Sequence, residues 1–257
     1  PLGFKIQKEE IQMRNLKRAL SLALAAIMLI GMMVVSASAV SYNDLTDKDQ
    51  IVNKDAVSML VSLGIIEGKP DGSYAPTENV DRAQMAKMLS VIMNKGVDNS
   101  ALYQSVNSGL TDITSHWAKG HINYCYTTGI IAGRGNGTFD PSATVTALEA
   151  AKMLLVAVGY DPAIEGFEGA DWAINVSVRA DEQGIFEGFT KDLSAPLNRD
   201  DAALLIYNAL DVEMIQSYTT NNYPIAYSDH RTILADKYGV IKVQGVVVAN
   251  EWASLAS

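Results

Sequence analysis

The chain has 257 residues, 48% of them hydrophobic, enough for one or two packed domains and unlike a disordered composition. Its formal charge of −9 argues against nucleic acid and anionic lipid as general partners. A single cysteine, Cys125, excludes an internal disulfide, so stability must come from packing.

In chain order, residues 1–12 read as a non-coding leader ahead of Met13. Lys8-Glu9-Glu10 is what a purine-rich ribosome-binding site gives when read in frame. Residues 13–39 read as a secretory signal peptide: Arg14, Lys17 and Arg18, an apolar run from Ala19 to Val35, then Ala37-Ser38-Ala39 with cleavage after Ala39. The run is nearly long enough to span a bilayer, but the Ala-x-Ala ending and the lack of a basic flank favour cleavage. Removing the first 39 residues takes five basic and two acidic side chains from totals of 20 and 29. That leaves 15 against 27, a net charge of −12. No membrane contact is expected after cleavage, and an anionic ligand would need local pockets.

Three copies of one unit follow, at 40–95, 110–158 and 159–211. Gly64-Ile65-Ile66-Glu67-Gly68, Gly129-Ile130-Ile131-Ala132-Gly133 and Gly184-Ile185-Phe186-Glu187-Gly188 share one pattern, and Val52, Trp117 and Trp172 stand twelve residues before each first glycine. Apolar residues between them, such as Val57, Leu60 and Val61, or Ile122, Cys125 and Tyr126, predict an amphipathic helix ended by the glycine. Cys125 reads as a small core hydrophobe on that stripe. A turn follows, Pro70 to Pro76 in copy one and Gly135 to Pro141 in copy two. A second helix then begins after Asp81, Thr146 or Asn198, each a good N-cap, with Gln84 and Glu149 placed to complete capping boxes. Gly64 to Arg82 and Gly129 to Ala147 are 18 residues apart but Gly184 to Arg199 only 15, so the third turn should be tighter.

These units resemble S-layer homology domains of bacterial surface proteins. The resemblance rests on an acidic residue and Trp-Ala opening the first helix, Gly-Ile-Ile-x-Gly, an aromatic-x-Pro turn, and a Thr-Arg-Ala-Glu-like start to the second helix. Copy two matches from Asp112 and Trp117-Ala118 to Phe139-Asp140-Pro141 and Thr146-Ala147-Leu148-Glu149. Copy one has Val52 for the tryptophan, and copy three keeps Trp172-Ala173 and Asn198-Arg199. The resemblance implies a mainly α fold, with three helix-turn-helix copies in a pseudo-threefold arrangement around central helices and grooves between neighbours. It also implies attachment to secondary cell-wall polysaccharide, often through a pyruvate ketal, with the motif arginine as anion contact.

Arg82 and Arg199 each occupy the first helical position, where the helix dipole disfavours a cation. Helix-terminal N–H groups together with a guanidinium would hold a carboxylate. The plainer alternative pairs each arginine with a nearby acid, such as Arg199 with Asp200 or Asp201. Ala147 takes the arginine's place in copy two, whose pocket should be weakened unless Arg134 compensates. Trp117 and Trp172 could stack on a sugar or serve as partly buried anchors. The candidate ligand-binding set is Arg82, Arg199, Trp117, Trp172, Asp112, Gly68, Gly133 and Arg134.

No catalytic constellation is visible. His116 and His121 are five apart, the wrong spacing for a helical metal pair, and neither a nucleophile elbow nor a P-loop is present. The expectation is a non-enzymatic module without metal or cofactor, with anionic wall polysaccharide as partner. The alternative is a lattice or oligomerisation module that binds other protein copies. Tyr238 to Asn250 reads as strand, which predicts that residues 212–257 open a further, truncated domain and that the protein continues past Ser257.

Overall fold

The computed structural model describes residues 41–242. The leader, the signal peptide and most of the strand expected over Tyr238–Asn250 lie outside these residues. Among the described residues are seven α-helices: α1 (Lys54–Ser62), α2 (Arg82–Met93), α3 (Lys119–Thr127), α4 (Ala147–Val158), α5 (Trp172–Glu182), α6 (Arg199–Ala209) and α7 (Ile233–Tyr238). Strands β1 (Ile215–Tyr218) and β2 (Pro224–Ala226) form one antiparallel hairpin. The chain is mainly α, as the periodicity indicates. No described helix is long and apolar enough to cross a membrane.

The first six helices fall into three pairs. The glycine closing each pair's first helix, Gly64, Gly129 or Gly184, has φ of +70°, +78° or +70°, the left-handed conformation in which a helix stops without Cβ strain. Each second helix starts from the foreseen cap: Asp81, Thr146 and Asn198 accept from the amides of Gln84, Glu149 and Asp201. The reciprocal half of the box forms in copy two, where the Glu149 side chain accepts from the Thr146 amide. In copy one it does not, and Gln84 Oε1 is buried without a partner.

What joins the pairs is a closed ring of three backbone hydrogen bonds. The Val80 amide donates to Leu197 O (2.8 Å), Leu197 to Val145 O (2.7 Å) and Val145 to Val80 O (2.9 Å). Three residues, one per copy and each just before a second helix, thus satisfy one another in a cycle. Around this ring every second helix packs on the first helix of the next copy: α2 on α3, α4 on α5, and α6 back on α1. Helix α4 also contacts α2 and α6, and its buried face of Ala147, Ala150, Ala151, Leu154, Leu155 and Val158 supplies the middle of the core. The short side chains there let the helices approach closely.

Residues 212–242 do not stand apart as a separate domain. The Leu234 amide donates to Leu210 O, Tyr238 Oη donates to Ile92 O, and Ile233 and Leu234 are buried. Tyr218 of β1 donates to Glu165, whose carboxylate also pairs with Arg179 at 2.8 Å. Gly159, which ends α4 at φ +112°, lies so close to β1 that a Cβ would fall 2.6 Å from Ile215 O. The hairpin and α7 therefore strap copies one and three together across the end of α4. At Tyr238 the expected strand is the last residue of α7, capped by Gly239 at φ +66°.

Candidate ligand-binding grooves

Each motif arginine leaves its own copy and enters the turn of the next. Arg82 of copy one donates from Nε to Phe139 O (2.9 Å) and from Nη2 to Ala132 O (2.9 Å) in copy two, with its guanidinium 4.4 Å from the Phe139 ring centre. Arg199 of copy three does the same in copy one, from Nε to Tyr74 O (2.7 Å) and from Nη2 to Glu67 O (3.4 Å), stacked 4.8 Å from Tyr74. The reach follows from ring closure, which sets the start of each second helix beside the neighbour's turn.

The same closure occupies the helix-terminal amides. Arg82 N and Ala83 N donate to Ala143 O and Pro141 O, and Arg199 N and Asp200 N to Glu78 O and Pro76 O. The expectation that these amides hold an anion is therefore corrected: neighbouring carbonyls already satisfy them, leaving only side chains for a ligand. The alternative pairing of Arg199 with its acidic neighbours is not observed either. Asp200 accepts from the amides of Val52 and Asn53, and Asp201 pairs with Lys191.

Two equivalent grooves result. Groove one, about 290 Å³, is lined by Gly68, Lys69, Gln84, Lys87, Trp117 and Arg199. Groove two, about 550 Å³, is lined by Gly133, Arg134, Glu149, Lys152, Trp172 and Arg82. The register is one-to-one, and each groove draws on all three copies: a glycine corner and a helix lysine from one, an arginine from the copy before it in the ring, and a tryptophan from the copy after. Trp117 is 56% exposed, with an open face, while Trp172 is partly buried with Lys152 Nζ 5.8 Å from its ring centre. Partial burial pushes the Lys152 ammonium below its ordinary value, an effect opposed by nearby Glu168. Arg82 is only 5% exposed and its pKa is brought down to about 10, first by burial and then by Arg134. A buried guanidinium leaves few N–H groups for a ligand, so Arg82 is a latch on the turn as much as a contact.

Of the candidate residues, Arg82, Arg134, Trp172 and Gly133 meet in groove two, and Arg199, Trp117 and Gly68 in groove one. Asp112 stands outside both. Its carboxylate accepts from the amides of Phe139 (2.9 Å) and Asp140 (2.7 Å), holding Asp140 at φ +61°. Burial raises its pKa, but these amide bonds outweigh that and hold it below the usual carboxylate range. Asp47 does the same for Tyr74 and for Ala75 at φ +56°. The signal for Asp47 was its position five before Val52, matching Asp112 before Trp117.

Arg134 does not compensate for Ala147. It pairs with Glu149 at 3.1 Å inside groove two, which already has Arg82. Because arginines cross between copies, Ala147 impoverishes the junction with copy three, not copy two's own groove. There Leu204 stands where the others have Lys87 and Lys152, and Val52 where they have tryptophan. That third junction lacks the arginine, the lysine and the aromatic together. Copy three's shortened turn brings Leu193 O to the Leu148 amide at 3.1 Å.

Lys87 and Lys152 were not anticipated. Their common position, five residues after Arg82 and Ala147, was readable, but only the fold shows that it faces a groove. Cys125 is wholly buried, its thiol pushed up in pKa by burial alone. Among the described residues no group of three or more His, Cys, Asp or Glu is placed to hold a metal.

Fold and site together define a ring-closed helical repeat module with side-chain grooves at its junctions. Residues 41–86 and 109–151 match the S-layer homology domain, and these two copies are S-layer homology repeats. The chain is 29% identical over 206 residues to a cell surface protein of Thermoanaerobacter kivui, covering 79% of this chain and 26% of that one. It is 32% identical over 111 residues to the S-layer protein EA1 of Bacillus anthracis, covering 43% and 12%. With the exoglucanase XynX of Acetivibrio thermocellus the identity is 28% over 192 residues, covering 69% and 17%. The chain thus spans about a quarter or less of these relatives.

Proposed function

We propose that this chain anchors an exported protein non-covalently at the bacterial cell surface by binding anionic wall polysaccharide, and that groove one and groove two hold the anion. The observation that carries this reading is the equivalence of the grooves. Each repeats an arginine, a lysine, a glycine corner and a tryptophan drawn from three copies, on a chain whose overall charge is −9. An arginine and a lysine beside a tryptophan suit a sugar bearing a carboxylate: the ring stacks, and the acid takes charge-assisted bonds. A pyruvate ketal presents such a carboxylate. Similarity to surface-layer proteins and to an exoglucanase fits an anchor joined to different cargoes, with no catalytic role for the repeats.

The test uses the full chain with wall polysaccharide before and after chemical removal of its pyruvate. Lys87→Ala and Lys152→Ala disable one groove each without touching the arginine latches. Each should weaken binding, and the pair should abolish it. Unchanged binding by the double variant, or indifference to pyruvate, would overturn the proposal. Concentration-dependent sedimentation without glycan binding would instead favour the protein-lattice alternative.

A further inference from the structure

The α2–α3 contact contains a polar pair that the fold does not require. Ser90 Oγ and His121 Nδ1 lie 2.6 Å apart, with the residues only 5% and 4% exposed. The equivalent positions at the α4–α5 contact are Leu155 and Val176, both wholly buried apolar residues, and at the α6–α1 contact Tyr207 and Ala56. Neither of these two homologous junctions has a histidine or a serine–imidazole pair at these positions. The polar pair is peculiar to the junction that forms one wall of groove one.

His121 lies directly behind that wall. The Trp117 ring is 6.3 Å from the imidazole, edge to face, and 5.6 Å from the ring of His116. Ser90 also donates to Lys87 O at 2.9 Å, so the pair is tied to the turn of α2 that carries the groove lysine. The charged groups facing the imidazole are the Asp98 carboxylate, 3.6 Å from Nε2 and half exposed, and the Lys87 ammonium; Cys125 on α3 is buried and neutral.

We propose that this contact is an acid-sensitive hinge, in which protonation of His121 loosens the wall carrying Trp117 and Lys87 and releases ligand from groove one while groove two keeps its own. The ligand half of this statement rests on the function proposed above; the hinge does not. An imidazolium here would sit in a mostly apolar contact, with a lysine nearby and one part-exposed carboxylate beyond close hydrogen-bonding distance. Burial, the largest effect, holds the folded-state pKa of His121 below its ordinary 6.5. Lys87 acts in the same direction, and Asp98 opposes them. The open form, with His121 in water, therefore binds the proton first. Closure is at full strength above about pH 6.5 and weakens as pH falls below it, by at most about tenfold per pH unit, the slope of one proton.

Hydrogen exchange on the full chain, corrected for intrinsic pH dependence, tests the hinge without ligand. Between pH 7.5 and 5.5 the amides of α3 should lose protection relative to those of α5. Replacing the pair by its own homologues, Ser90→Leu with His121→Val, should remove that dependence; His121→Gln serves if the double variant does not fold. Equal protection ratios at both pH values, or a pH dependence that survives both variants, would overturn the hinge. In the ligand arm, pyruvylated wall glycan is titrated at the two pH values against Lys152→Ala, which isolates groove one, and Lys87→Ala, which isolates groove two. A fall in affinity confined to groove one is expected, and an equal fall in both would refute selective release. Absence of glycan binding at pH 7.5 would refute the anchoring proposal and the release step, while the exchange result would still decide the hinge.

Discussion

Truncating Arg82 to alanine tests whether the motif arginine is a structural latch. The change removes two charge-assisted bonds, to Phe139 O and Ala132 O, and the stack on Phe139. Bonds from charged groups contribute roughly 1.5–3 kcal/mol each, and a desolvated cation–π contact about 1–2. Against this stands the cost of burying the guanidinium, which lowers its pKa to about 10. A net loss of about 2–4 kcal/mol is expected once that cost is subtracted. Arg199 makes one short bond and one of 3.4 Å, so Arg199→Ala should lose less, about 1–2 kcal/mol. Urea denaturation of both variants, with m unchanged, measures the difference. Losses below about 0.5 kcal/mol in both would refute the latch and return Arg82 to a purely ligand-binding role, while equal larger losses would refute the ranking of the two. The result also bears on glycan assays, because weak binding by Arg82→Ala could reflect a displaced turn, whereas Lys152→Ala keeps the latch.

Gly159→Ala places a Cβ against Ile215 O at φ +112°. It should cost about 1–3 kcal/mol and raise hydrogen exchange in β1 before it affects α2, and uniform loss would show that the hairpin is no separate strap. Asp112→Asn removes the charge that accepts the Phe139 and Asp140 amides, and should cost about 1 kcal/mol at pH 7 after solvent screening. Since the folded-state pKa of Asp112 is depressed, its contribution is present above the ordinary value of 3.8 and lost as pH falls through the folded one. Acid denaturation curves of the two proteins should therefore converge in that range, and parallel curves would count against it.

Much of the scaffold is readable in the sequence. The glycine that ends each first helix and the N-cap that starts each second act over one turn of chain, so their residue types announce them. The same local logic failed at Gln84, whose side-chain oxygen is buried without reaching the cap amide, and at Tyr238, which closes a helix. It also failed for Arg134, because the sequence shows which copy lost an arginine but not which groove that arginine serves.

The sequence by itself determined three copies, their caps and stops, the aromatic turn and the inequality of the repeats, because these reside in short-range backbone chemistry and in one shared register. Tertiary structure alone decided that Val80, Val145 and Leu197 close a ring. From that closure come the occupied helix amides, the arginines that cross into the next copy, the two lysines facing the grooves, and the third junction stripped of all three ligand-facing residues. The physical reason is that each groove is assembled from segments of all three copies, and their meeting is set by which helix buries its apolar face against which neighbour.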